Sequence, residues 1–325
     1  MNNKNIFITG ITGQDGIFLT KHLLEGGNVK IFGSSRQNNL NLFYRKLSYL
    51  GVNSSEFNNI VVKKLDLLNE IELENAIKEV RPKYLYNLTG PSSVNNSFLD
   101  PDDYFSSIVN PFKSICNSVV KNKLKTKIFQ ASSSEMFADT KGNLIDENTD
   151  FQPKSPYAKS KLECYLLSKK FEKIYGLRVV NGFLFNHESE FRDKEFLIMK
   201  IIKNALKIKN NEIKNFTIGS KELIREWGYS NDITLGIKKI TEEGKFDSYV
   251  IGTGLGYSIE SLVNIIGDHL NLELLPFIEF DSSILRNETP LKIVSNPQRV
   301  KEELNWSSKF SLEEMLLKII NYLNL

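Results

Sequence analysis

Apolar runs alternate with helix-period stretches through the first 185 positions. Runs rich in β-branched and aromatic residues fall at 5–9, 29–33, 60–65, 84–88 and 127–131, and each predicts a strand. Between them, 13–24, 69–80 and 102–121 carry apolar residues at helical spacing. Ser155-Pro156 opens a further helix that Gly176 closes: Ser as N-cap, Pro in the first turn, Gly as C-cap. A strand over 177–185 follows. Alternation of this kind predicts a parallel sheet covered on both faces.

Past 186 the pattern weakens. The stretch 187–232 is rich in polar and charged residues, a strand near 249–253 is expected to rejoin the sheet, and 296–325 reads as a helical tail with a Leu/Ile face. No repeat and no low-complexity linker separates the parts. The expected organisation is a nucleotide-binding domain over 1–185 and a smaller, discontinuous, interleaved domain over 186–325 that binds substrate.

Composition narrows the class. The 325 residues are 41% hydrophobic and 25% charged, with a net charge of +3, which suits a soluble globular protein. That excess is too small to predict nucleic-acid binding. The one basic run, Lys121-Asn-Lys-Leu-Lys-Thr-Lys127, lies between a helix and a strand and reads as a solvated connection. Cys116 and Cys164 lack partners at metal spacing and read as buried thiols of a cytoplasmic protein; the three histidines are scattered, and no metal is expected. No run is long enough to predict a membrane span.

The candidate chemistry sits at strand ends. Gly10-Ile-Thr-Gly13-Gln-Asp-Gly16 follows the first strand and opens the first helix, the context of a dinucleotide-binding loop. An acid at the end of the second strand would select NAD. Gly33-Ser-Ser-Arg36-Gln37 has none, and Arg36 suits the 2′-phosphate of NADP, unless it is only a solvated surface residue. Asp66-Leu67 could meet the adenine; Asp66 serves equally well as a turn residue.

Tyr157 and Lys161 lie four apart, hence on one helix face. The ammonium favours the phenolate, which makes Tyr157 a candidate general base. Ala131-Ser-Ser-Ser-Glu135 ends the fifth strand, where ligands of open α/β sheets bind. Ser133 can share a hydrogen bond with a substrate hydroxyl. Glu135 is either a helix-terminal charge or a second acid/base. Alcohol oxidation does not need a second acid/base, whereas removing a carbon-bound proton and expelling water does.

With these residues in place the chain resembles the extended short-chain dehydrogenases/reductases, and more narrowly the GDP-mannose 4,6-dehydratase group. The resemblance covers nearly the whole chain. It rests on Ile8-Thr-Gly-Ile-Thr-Gly-Gln-Asp-Gly16, Tyr86-Asn-Leu88, Ser132-Ser-Ser-Glu135, Ser155-Pro-Tyr-Ala158, Asn181-Gly182, Leu184-Phe-Asn-His-Glu-Ser189, Arg225-Glu-Trp-Gly228 and Leu304-Asn-Trp306. Gln14-Asp15 and Asn186-His-Glu-Ser189 are distinctive of the group.

The resemblance implies a Rossmann-type NAD(P)-binding fold and catalysis by Ser133, Glu135, Tyr157 and Lys161. It implies NADP contacts from Gly10, Thr12, Gly13, Gln14, Asp15, Gly16, Arg36, Asp66, Leu67, Leu88, Tyr157, Lys161 and His187. It places the GDP-sugar against Ser92, Asn186, Lys200, Arg225 and Arg286. A homodimer through helices, one of them the Tyr157 helix, or a homotetramer is also implied. Related epimerases, decarboxylases and reductases share the fold, and a non-catalytic NADP sensor is the alternative of another class.

The chain departs from the group at Asn87-Leu-Thr-Gly-Pro-Ser-Ser93, at Ser189-Glu-Phe-Arg-Asp193 and at Thr289, where the group has an acid. Smaller side chains at 90–93, and Phe191 in place of a cation, favour GDP-N-acetylglucosamine, as used in the legionaminic acid route, over GDP-mannose. GDP-heptose is a further candidate.

Overall fold

The computed structural model describes residues 4–36, 39–137, 142–285 and 289–324. The first half runs β1 (Lys4–Thr9), α1 (Gln14–Glu25), β2 (Val29–Ser35), α2 (Asn41–Tyr49), β3 (Ile60–Lys64), α3 (Glu70–Val80), β4 (Tyr84–Asn87), α4 (Pro101–Lys121), β5 (Lys127–Ser133), α5 (Pro156–Tyr175) and β6 (Val179–Leu184). The second half runs β7 (His187–Glu188), α6 (Leu197–Lys209), β8 (Phe216–Ile218), β9 (Ile224–Arg225), β10 (Gly228–Tyr229), α7 (Ser230–Glu242), β11 (Ser248–Ile251), β12 (Tyr257–Ser258), α8 (Ile259–Leu270), β13 (Ile278–Phe280), β14 (Lys292–Ile293), α9 (Gln298–Leu304) and α10 (Leu312–Leu323).

Seven strands form one parallel sheet in the order β11-β6-β5-β4-β1-β2-β3. This is the Rossmann-type doubly wound arrangement. Its strand order reverses between β1 and β4, which opens a crevice at their carboxyl ends. Side chains alternate across the sheet. Ile6 and Ile8 pack with Ile17 and Phe18 of α1 and Ile233 and Ile237 of α7. Phe7, between them, packs on the other face with Leu73 of α3 and Phe112 of α4. Each such fully buried side chain contributes about 1.5–3 kcal/mol. Two covered faces explain why the strands read as continuous apolar runs.

β11 extends the sheet beyond β6, so the chain returns to the first half after a long excursion. That excursion and the tail build three small sheets: β7 with β10, β8 with β13, and β9 between β12 and β14. Among the described residues no helix is long and apolar enough to cross a membrane.

Two expectations change. The weakly patterned stretch 187–232 contains α6, whose Ile198, Met199, Ile201, Ile202, Ala205 and Ile208 are all buried. The helical period was present, hidden by lysines on the solvent face. The helical tail is broken in two: Asn305, with φ 48°, ends α9 in the left-handed conformation, and the Ser311 hydroxyl caps α10 afresh.

Candidate active site

α5 places the Tyr/Lys pair. The Ser155 side chain accepts from the Ala158 amide at 3.1 Å and fixes the helix start, and Gly176 ends it with φ 65°. Tyr157, Lys161, Cys164, Ser168 and Phe171 form the buried stripe of the helix, so both catalytic candidates face the sheet. Lys161 is 5% exposed; its ammonium donates to the Ala131 carbonyl at 2.8 Å and lies 5.7 Å from the centre of the Tyr157 ring. A buried charge needs such partners. Ala131 belongs to β5, whose end carries Ser133 and Glu135. The helix stripe and the strand end therefore meet at one point.

Ser133 ends β5 and accepts from the Glu135 amide at 3.2 Å. This turns the chain through a short 3-10 turn over Ser134–Met136 and leaves Glu135 half-buried beside α5.

A polar ladder supports this end of the sheet. The Thr9 and Thr89 hydroxyls donate to the Asn87 side-chain oxygen Oδ1 at 2.7 and 2.8 Å. Asn87 donates to Gln130 at 2.7 Å, and Gln130 donates to the Ala131 carbonyl at 3.1 Å. The oxygen that holds Lys161 is thus tied through β5 and β4 to β1. Asn87 and Gln130 are 2% and 1% exposed, so each bond is shielded from water.

The glycine loop has the shape for a pyrophosphate. Gly10 has φ +73°, a conformation L side chains rarely adopt. A Cβ on Gly16 would lie 2.4 Å from the Ile11 carbonyl oxygen, so only glycine lets α1 start this close to the loop. No side chain caps the start of α1, which leaves its first amides and the positive end of the helix dipole for an anion. The loop is pinned to β2: the Gly10 amide donates to the Ser34 hydroxyl at 3.4 Å, and the Thr12 and Ser35 hydroxyls lie 3.2 Å apart. Arg36 follows β2 directly and is exposed. Leu88 and Leu67 are half-buried beyond β4 and β3, and the Asp66 carboxylate accepts from the Leu68 amide at 3.0 Å, a turn bond.

Gln14, Asp15 and His187 are bonded to one another. His187 Nε2 lies 3.1 Å from both Asp15 carboxylate oxygens, and its Nδ1 lies 2.7 Å from the Phe185 carbonyl. Both nitrogens face acceptors, so only the imidazolium satisfies both. Burial favours the neutral ring, but the Asp15 charge and hydrogen bonds outweigh it and raise the His187 pKa above its usual value. Burial likewise opposes the Asp15 charge, and His187 outweighs it, holding the carboxyl below its usual range. Gln14 donates to the His187 carbonyl at 3.3 Å and accepts from Ser189 at 2.8 Å. The two segments distinctive in sequence are thus one interlock, joining α1 to β7.

Of the residues expected to hold the GDP-sugar, Asn186 is exposed just past β6. The Lys200 ammonium donates to the Thr217 carbonyl at 2.8 Å. Arg225 is 9% exposed and donates to the carbonyls of Ile224, Leu291 and Pro290 at 2.7–3.2 Å. Its neighbour Glu226 accepts from Ser295 and from the Thr253 amide at 2.7–2.8 Å. Together they fasten the 290–295 segment onto β9. Arg286 lies outside the described residues. Ser92 is exposed, and the carbonyl of Ser93 next to it accepts from the Tyr104 hydroxyl at 2.6 Å.

One expectation fails here. Phe191 does not face a sugar pocket: it is 7% exposed, 5.5 Å from the Phe18 ring and 5.6 Å from the Tyr322 ring. Glu190 is buried too, accepting from the Tyr229 hydroxyl at 3.1 Å. The cation that remains in this segment, Arg192, lies 3.2 Å from Glu188 and stacks on Phe196.

Comparison with known proteins places this geometry. Residues 7–319 match the family model described as GDP-mannose 4,6 dehydratase. The chain belongs to the GDP-mannose 4,6 dehydratase family. It is 29% identical to GDP-mannose 4,6 dehydratase 2 of Arabidopsis thaliana over 98% of this chain and 86% of that protein. It is 28% identical to GDP-mannose 4,6-dehydratase of Vibrio cholerae, covering 98% of this chain and 93% of that one. Among solved structures, dTDP-glucose 4,6-dehydratase from Bacillus anthracis in complex with NAD superposes with TM-score 0.84 at 22% identity, covering 99% of this chain and 96% of that one. UDP-glucose 4-epimerase from Thermotoga maritima gives TM-score 0.84 at 20% identity, covering 98% of each chain. At these identities the structures speak for the fold alone.

In this member of the GDP-mannose 4,6 dehydratase family, sequence reading missed Thr9, Asn87, Gln130 and Glu226 as parts of the site's support. The available signal was a polar residue closing an apolar strand, as in Tyr84-Leu-Tyr-Asn87 and Lys127-Ile-Phe-Gln130. Cys116 and Cys164 are buried free thiols, and burial pushes Cys164 up to about 12. Among the described residues, no group of three or more His, Cys, Asp or Glu could hold a metal.

Proposed function

We propose that the chain converts a GDP-linked hexose to its 4-keto-6-deoxy form with loss of water, using NADP. The observation that carries this reading is the Lys161–Ala131 bond, which sets the buried Tyr157/Lys161 face of α5 against the strand that runs into Ser133 and Glu135, in a member of the GDP-mannose 4,6 dehydratase family. The uncapped start of α1 and the glycine loop suit the pyrophosphate, and Arg36 suits the 2′-phosphate. Bound NADP supplies the acceptor, and then the donor, of one hydride that passes from C4 to C6 with no net oxidation.

The remaining steps fall to side chains. Tyr157 takes the proton of the 4-hydroxyl, with Ser133 sharing that hydrogen bond. Lys161, fixed on the Ala131 carbonyl, holds a positive charge beside the developing phenolate. The C4 ketone acidifies the C5 proton. Glu135 removes that proton, and the 6-hydroxyl leaves as water by taking a proton from the same carboxyl; hydride return to C6 is completed by a proton added at C5, which balances the one Tyr157 took from the 4-hydroxyl. Glu135 distinguishes this reading from a simple reductase, which has no carbon-bound proton to remove. A protein that only senses NADP has no use for the four residues together.

Arg225, Lys200, Asn186, Ser92 and Arg286 are proposed to hold the GDP-sugar. Of the two arguments for GDP-N-acetylglucosamine, burial of Phe191 removes one and leaves the small side chains at 90–93. The lean towards that substrate over GDP-mannose is correspondingly smaller. The ratio of kcat/KM for the two substrates decides it, because discrimination is that ratio. A clear preference for GDP-mannose reverses the lean. Activity with UDP-sugars alone, or UDP-glucuronate decarboxylation, overturns the GDP-sugar reading. We also propose a cytoplasmic homodimer through α4 and α5, where Phe105 and Leu166 are 41% and 51% exposed. A monomer in sedimentation at micromolar concentration contradicts the dimer.

A further inference from the structure

A cavity of about 980 Å³ opens at the amino ends of β4, β5, β6 and β11, the edge of the sheet opposite to Ser133 and Tyr157. Typical ligand pockets span about 300–1,000 Å³. Its walls carry Lys83, Lys123, Lys125, Lys127, Arg178 and Lys245, against Glu242 and Glu243. The proposed function uses none of these residues.

The sheet itself brings the cations together. Lys83 precedes β4, Lys127 begins β5 and Arg178 precedes β6. The Lys127 amide donates to the Lys83 carbonyl at 3.0 Å, and the Ile128 amide donates to the Arg178 carbonyl at 2.9 Å. Tyr84 pairs with Lys127 and Val179 with Ile128, so Lys127 and Arg178 stand level on strands about 4.8 Å apart, and Lys83 lies one position before the partner of Lys127. Lys123 and Lys125 come from the connection after α4, and Lys245 from the one before β11. The basic run that reads in sequence as a solvated connection thus supplies half of the cationic wall.

Among the described residues, no ammonium or guanidinium of the six lies within 4 Å of a carboxylate oxygen, and an acid from outside the wall, Glu303, accepts from the Lys245 amide at 2.8 Å. Glu242 is already paired with Lys238 at 3.2 Å. The Lys127 ammonium donates to the Gly244 carbonyl at 2.9 Å, and its pKa falls to about 8, through burial first and then Arg178, with Glu303 opposing. Concentrating cations in a concave, partly apolar site focuses the field on an anion. Tyr175, 57% exposed at the rim, and the buried Val119 and Leu177 add a flat ring and an apolar floor.

We propose that this cavity binds a chain of two or three phosphates, either free or carried on a nucleoside whose base rests on Tyr175. The Arg178 fork suits a phosphate bidentately, and the lysines suit it as point charges.

The experiment is calorimetric titration of ATP and of inorganic tripolyphosphate into the full chain. Saturating NADP and GDP-mannose, whose diphosphates are esterified at both ends, are present to occupy the catalytic end. Lys125→Ser/Lys245→Ser tests the cavity, and Lys214→Ser/Lys301→Ser, which removes the same charge elsewhere, is the control. All four lysines are exposed, so both variants should fold. The expected result is one saturable site, weakened about tenfold in the first variant and unchanged in the control. Tighter binding of ATP than of tripolyphosphate, lost in Tyr175→Ala, assigns the nucleotide; equal binding assigns free polyphosphate. No saturable binding, or equal losses in both double variants, overturns the proposal.

Discussion

Replacing Asp15 with Asn tests whether His187 is held as an imidazolium. With His187 charged, both ring nitrogens donate, to Asp15 and to the Phe185 carbonyl. Asn is nearly isosteric and can donate its own amide to Nε2, but only when that nitrogen is unprotonated. The variant therefore exchanges a charge-assisted bond for a neutral one. Hydrogen bonds to charged groups contribute about 1.5–3 kcal/mol and neutral ones about 0.5–1.5 kcal/mol. The expected loss is about 1–2 kcal/mol, below the roughly 3–5 kcal/mol for breaking a fully buried pair, because the amide re-forms a partner. The His187 and Asp15 side chains also retain 12% and 22% exposure.

The pH dependence carries the sharper test. Asp15 is lowered from 3.8, so its contribution is present above that value and is lost as pH falls through the lower folded value. His187 is raised from 6.5, so its contribution is full below that value and is lost as pH rises through the higher folded value. The pair therefore stabilises from below pH 3.8 to above pH 6.5. The difference between native and variant should be largest near about pH 6 and shrink by about pH 9. Urea unfolding of cofactor-free protein at both pH values measures it. A difference that is the same at the two values refutes the imidazolium assignment.

Glu135→Gln should lower dehydration by about 10²–10⁴-fold while NADP affinity, read by titration, stays unchanged; wild-type turnover would make the carboxylate structural only. Arg36→Ala should weaken NADP binding with little change for NAD, and equal losses for both would remove the 2′-phosphate contact. Gly16→Ala sets a methyl 2.4 Å from the Ile11 carbonyl oxygen and should cost about 1–3 kcal/mol of stability as well as cofactor affinity. Thermal unfolding unchanged in that variant would mean the loop relaxes freely.

The parts legible in sequence are those fixed by neighbours in the chain. The glycine loop, the strands of the first half and the Tyr157 helix each carry their own signal: a turn requirement, an apolar run, or a cap and a stripe. The Asp15–His187 interlock was visible only as two unusual segments, because its partners are 172 positions apart and only the fold brings them together. Phe191 shows the reverse error. A residue replacing an expected cation invited a reading at the sugar, when it fills an aromatic core beside Phe18 and Tyr322. The short strands β7–β10 and β12–β14 have two or three residues each, too few for a period to register. The basic run 121–127 showed its charge in sequence, but not that Lys83 and Arg178 stand beside it, since strand pairing alone makes them neighbours.

The central claim is an internal hydride transfer coupled to loss of water. It is tested most directly by incubating the purified protein and NADP with a GDP-hexose carrying deuterium at C4, and weighing the product by mass spectrometry. The account predicts a product lighter by one water that keeps its deuterium, now at C6, with no net NADPH formed. A product of unchanged mass, or one whose deuterium has passed to an accumulating pool of reduced cofactor, would contradict it.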